Sequence, residues 1–199
     1  MTKNRLEAFS DGVIAILITI MVLELKIPHG DDFAALRPMW PVFLAYVLSY
    51  VLLGIYWNNH HHMLHATKHV DGAILWANLH LLFWLSLIPF ATAWMGDNHF
   101  APLPTAIYGA ILFFCAIAYT ILQNTIIRRH GMTAEVARAL AGDTKGKISL
   151  LLYLTAIPLA FVHPAISGAL YVVVALIWLV PDRRIEDTLH EPGAPSPAP

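Results

Sequence analysis

Long uncharged stretches alternate with short charged ones along this chain. A helix needs about 20 mainly apolar residues to cross the hydrocarbon core of a bilayer. Stretches free of Asp, Glu, Lys and Arg lie at residues 12–23, 39–67, 72–96, 100–127 and 148–181. The first, flanked by Asp11 and Glu24, predicts the core of helix 1, and the next three predict helices 2, 3 and 4. The last is too long for one span. His163-Pro164 sits near its middle, and a proline ends one helix or starts the next, so it divides into helices 5 and 6. The pattern predicts an all-α polytopic membrane protein with six transmembrane helices and both termini on one side.

Charge gives the orientation. With a cytoplasmic N-terminus, the inner side collects Lys3, Arg5, Lys68, Arg128, Arg129, Arg138, Lys145, Lys147, Arg183 and Arg184, and the outer side keeps Lys26 and Arg37. Ten against two obeys the positive-inside rule and agrees with an even number of spans. The start MTKNRLEAFSD reads as a retained first helix, not a cleaved signal peptide, because no small-residue cleavage site follows the apolar run. Residues 1–182 form the membrane domain. The Pro-rich tail, 183–199, lacks apolar anchors and is expected to be disordered. Residues 131–147 read as a charged loop. No internal repeat relates the two halves.

Composition narrows the function. The chain is 58% hydrophobic and only 13% charged, where a soluble domain carries about a quarter charged residues. A net charge of −1 offers nucleic acid no footprint. The single cysteine, Cys115, excludes an internal disulfide and dithiol redox chemistry. Nucleophile elbows, P-loops, nucleotide fingerprints and a TVGYG-type filter are absent from the sequence. The helix interiors also lack the charged relay that a proton-coupled carrier uses at mid-depth.

Helix 1 has two sides. At 100° per residue, Phe9, Ile16, Ile20 and Leu23 share a stripe with Thr19 beside it. Asp11 points about 140° from Ile16, and Ser10 about 120° away on the other side. An aspartate so near the bilayer core needs a partner; Arg5 and the histidines of helix 2 are candidates. Helix 2 ends GIYWNNHHHMLHATKH. His61 and His65, spaced i, i+4, could share a metal, and His80 on helix 3 could face His61 or His62 across a haem. Against both stands the lack of any carboxylate or cysteine at metal-site spacing. Interfacial anchoring by Tyr56 and Trp57, polar bonding to helix 1 and a solvated histidine tail explain the same residues. Asn78, inside helix 3, reads as a polar contact between helices. A carrier using histidines as proton relays is a third possibility.

Arg5, Phe9, Ser10 and Asp11 stand as RxxxFSD before GVIAI, followed by YWNNHH on helix 2 and by ANLHLL and IPF on helix 3. Together these motifs, over the first half of the chain, resemble the prokaryotic branch of the lysosomal potassium channel family, the transmembrane-protein-175 type. The resemblance implies a homotetramer in the bacterial inner (plasma) membrane, with helix 1 of each subunit lining a central pore. It implies a narrowest layer at Ile16 and further layers at Thr19 or Ile20 and at Leu23. It implies that Arg5, Phe9, Ser10, Asp11, Trp57, His60 or His61, and Asn78 hold helix 1 in place. K+ would be the permeant ion, selected modestly over Na+, with no cofactor, metal or catalytic residue. The expected partners are other copies of the chain and the lipid bilayer. The alternatives are a histidine-based metal or haem membrane protein and a proton-linked carrier.

Overall fold

The structure, a computed structural model, describes residues 2–65, 67, 69–130 and 144–179. Helix α1, Lys3–Ile20, tightens into a 3-10 turn at Met21–Glu24. The following loop turns at Gly30, whose φ of 138° suits glycine. A 3-10 helix, Phe33–Met39, is capped by Asp32, which accepts the Ala35 N–H at 3.0 Å. Helix α2, Trp40–His65, runs directly on from it.

The third hydrophobic stretch holds two helices. Asp71 caps α3, Gly72–Ser86, by accepting the Ile74 N–H at 2.9 Å. The chain breaks at Leu87 and resumes as α4, Ile88–Asp97, with Pro89 in its first turn. A proline lacks the N–H that continues a helix but suits the start of one. His99 and Phe100 then take left-handed φ values of 50° and 58°. This turn delivers the chain to α5, Pro102–His130.

Helix α6, Thr144–Val162, and helix α7, Pro164–Leu179, meet at His163, the break the sequence predicts. Helix α6 takes Lys145 and Lys147 into its first turn, so the charged loop expected over 131–147 gives way to helix by Thr144. Residues 131–143 of that loop, and the tail 183–199, lie outside the described residues.

Helix α5 packs against α3, α4, α6 and α7, while α1 lies on α2 and α3. Buried polar groups in a bilayer must find partners inside the protein, and here they cross between helices. The Ser49 hydroxyl lies 2.6 Å from that of Thr92 and 2.8 Å from that of Tyr108, joining α2, α4 and α5. The Tyr171 hydroxyl donates to the Thr105 carbonyl at 3.0 Å, joining α7 to α5. The close approach requires Gly109: a Cβ there would stand 2.8 Å from Tyr171 Cζ.

No strand occurs among the described residues. Five helical stretches are long and apolar enough to cross a membrane: Lys3–Glu24, Phe33–His65, Gly72–Asp97, Pro102–Arg129 and Thr144–Val162. Pro164–Leu179 is a shorter apolar helix where the sixth span is expected. Trp76, Phe90, Leu151 and Val162 are 61% or more exposed on the outside of this bundle. Such a surface suits hydrocarbon rather than water. The chain is an all-α membrane protein.

Candidate functional site

Helix α1 presents two faces. Leu6, Ser10, Ile14 and Leu17, with Met21 just beyond, are buried. Their spacing of three and four residues puts them on one side, against the rest of the bundle. Opposite them, Arg5, Phe9, Gly12, Ile16, Thr19, Ile20 and Leu23 form an exposed arc. Ile16 is 59% exposed and Leu23 79%. The Thr19 hydroxyl donates to the Ile16 carbonyl at 3.0 Å. Its proton is thus occupied, and the lone pairs of its oxygen are left as acceptors.

The buried face is fastened by a chain of polar side chains with no exposed surface. The Ser10 hydroxyl donates back to the Leu6 carbonyl at 2.9 Å and accepts from Asn78 Nδ2 at 2.9 Å. Asn78 Oδ1 lies 2.7 Å from His60 Nε2. An amide oxygen only accepts, so with this amide orientation the His60 proton is on Nε2. His60 Nδ1 is buried without a partner. The chain links α2 through α3 to α1.

A second set of contacts runs down the α1–α2 seam. Lys3 Nζ donates to the His65 carbonyl at 2.6 Å, Glu7 Oε1 lies 3.2 Å from His61 Nδ1, and Trp57 Nε1 donates to Asp11 Oδ1 at 3.1 Å. Each step of four residues up α1 matches a step of four down α2. This is the register of two antiparallel helices touching once per turn. Asp11 therefore pairs with an indole, not with Arg5 or a histidine as the sequence suggested. Arg5 forms no ion pair among the described residues.

The structure brings together Ser10, Asp11, Trp57, His60, His61 and Asn78 from the expected fastening set. His60 and His61 both take part, in different contacts. Arg5 and Phe9 lie on the exposed arc instead, Phe9 at 49% exposure. Ile16, Thr19, Ile20 and Leu23, the expected pore positions, share that arc. Sequence reasoning missed Lys3, Glu7 and Gly12. The spacing of Glu7 from Asp11, matched by that of Trp57 from His61, was the readable signal for the seam.

The histidines of the alternative readings make other contacts. The His61 and His65 rings stack at 6.1 Å between centroids, and His80 Nε2 accepts the Trp84 indole N–H at 3.0 Å on its own helix. Among the described residues, no three His, Cys, Asp or Glu side chains are grouped to hold a metal ion. At the far end of α1, Lys26 and Asp97 pair at 3.4 Å with side chains 79% and 45% exposed. Solvent screening leaves such a pair little weight.

Comparison with known proteins identifies the architecture. A family profile described as endosomal/lysosomal potassium channel TMEM175 matches residues 5–89. A potassium channel of Chryseobacterium sp. is 56% identical over 191 residues, covering 96% of this chain and 100% of that one. The rat endosomal/lysosomal proton channel TMEM175 is 31% identical over 182 residues, covering 81% of this chain and 36% of its own. The crystal structure of a lysosomal potassium-selective channel TMEM175 homolog from Chamaesiphon minutus superposes with a TM-score of 0.77 at 29% identity, over 89% of this chain and 96% of that one. Matched along its length by one such channel and in its fold by another, the chain belongs to the TMEM175 family of ion channels.

Proposed function

We propose that this channel conducts K+ through a pore lined by α1 from four copies of the chain, with modest preference over Na+. The observation that carries the reading is the division of α1. One face is pinned by buried hydrogen bonds, and the opposite face is mainly apolar and stays largely exposed among the described residues. A pore helix needs both. Six spans, cytoplasmic termini and a bacterial inner membrane accord with the distribution of Lys and Arg.

The mechanism follows from the arc. Four Ile16 side chains make a dry layer that excludes ions when narrow and admits them when it widens. Thr19, one turn on, offers oxygen lone pairs to a cation that has shed part of its water. Ile20 and Leu23 continue the lining outward. Ser10, Asn78 and His60, with Asp11 and Trp57, hold α1 at the angle that sets the width of the layer. K+ is the permeant ion, and conduction needs no cofactor.

The test is ion flux from liposomes holding the purified protein, under K+, Na+ and proton gradients in turn. We expect K+ flux exceeding Na+ flux, and Ile16→Asn to raise it by wetting the constriction. K+ flux unchanged by Ile16→Asn would remove Ile16 from the narrow layer. Proton flux without K+ flux would assign the pore to protons, as the rat relative is named.

A further inference from the structure

Gly12 stands at the centre of the exposed arc of α1, three residues beyond Phe9 and four before Ile16. A glycine inside a helix weakens it relative to alanine, so its presence calls for a local reason. The backbone supplies none: Gly12 is not among the residues with positive φ. Packing within the subunit supplies none either, since a Cβ built at Gly12 meets nothing within 4 Å. What sets Gly12 apart from the equally open Gly54 and Gly168 is its place on the arc, which points to the space in front of it.

We infer that Gly12 lines the conduction pathway and keeps a wet gap between the Phe9 and Ile16 layers, so that the dry barrier beginning at Ile16 does not reach back to Phe9. This rests on the reading of α1 as the pore helix. A hydrophobic gate works by expelling water from an apolar constriction. Positions one helical turn apart lie about 5.4 Å apart along the axis. A large apolar side chain at position 12 would fill the gap and join the Phe9 and Ile16 layers into one longer dry plug. With glycine there, backbone and water occupy the gap. A cation arriving from the Phe9 side keeps its hydration shell until it meets Ile16.

The experiment uses the full chain in liposomes and a positively charged methanethiosulfonate reagent. The native Cys115 is fully buried and gives no background. We expect Gly12→Cys to conduct before treatment and to lose at least about tenfold of its K+ flux afterwards, with wild type unaffected. We expect Gly12→Leu to assemble normally yet conduct at least about tenfold less than wild type, because it lengthens the dewetting region. A Gly12→Cys protein that keeps its flux while Ile16→Cys is blocked would overturn the inference and leave the pore reading intact. So would a Gly12→Leu protein that conducts normally. A Gly12→Leu protein that no longer assembles would also overturn it, marking Gly12 as a contact between helices of different copies. If the reagent blocks neither cysteine variant while the wild type conducts, the pore reading itself falls.

Discussion

Asn78 holds two partners at once, accepting from His60 and donating to Ser10, all three side chains without exposed surface. Hydrogen bonds between membrane helices are individually modest, about 0.6 kcal/mol on average. A buried polar group left without its partner costs more, about 1–3 kcal/mol. Asn78→Ala strands the His60 N–H and removes the donor to Ser10, so the second figure governs. We expect it to destabilise the folded protein by about 1–3 kcal/mol, read as a lower midpoint in thermal unfolding in detergent. Unaltered stability would show that the chain of bonds is not what fastens α1. The participants were legible in sequence: Ser10 and Asn78 are polar at apolar depth, and such groups need each other. The register between helices was not. Helical periodicity says which residues share a face, but not how far α2 slides along α1. For that reason Glu7 went unnoticed and Asp11 was offered Arg5 and histidines when its partner is the Trp57 indole.

At the level of elements, the α1–α2 seam sets how α1 is held. The seam touches once per turn, and its contacts lie toward the N-terminal end of α1. The apolar positions beyond, from Ile16 to Leu23, have no such ties on their exposed side. Asp11→Ala removes the rung nearest the constriction. The Trp57 indole ring is partly solvent-facing, with the residue 44% exposed, so the bond's direct contribution is about 1 kcal/mol. The expected outcome is reduced assembly and thermal stability, with the ratio of K+ to Na+ flux unchanged in the protein that does assemble. Trp57→Phe keeps the ring and deletes the donor. The two variants should therefore be non-additive in a double-mutant cycle. Normal assembly with altered selectivity would move Asp11 from the fastening to the ion path. Five of the expected spans were readable, because bilayer thickness sets their length. The break at Leu87 was not, since Pro89 alone does not say whether a helix bends or ends.

For the whole molecule the question is enclosure. One copy of α1 presents an arc to its surroundings, and an arc surrounds nothing. Its occupants make an odd lipid-facing strip: Arg5, Gly12 and Thr19 stand among Phe9, Ile16 and Leu23. The Thr19 oxygen keeps lone pairs that hydrocarbon cannot use, and glycine offers lipid no apolar surface. Both are at home where copies of the arc face each other across water. Closed rotational symmetry does this with one repeated contact. The expected assembly is a tetramer, so native mass measurement from detergent or lipid discs should give four times the 22.1 kDa chain. The same preparation supplies the decisive mixing experiment. When wild-type and Ile16→Asn subunits are co-expressed, unitary conductance should fall into discrete intermediate levels, because every copy contributes one side chain to the constriction. Only the two parental levels would mean that each pore is built within one subunit, and a monomer in both detergent and lipid would leave α1 no facing copy to form a pore with.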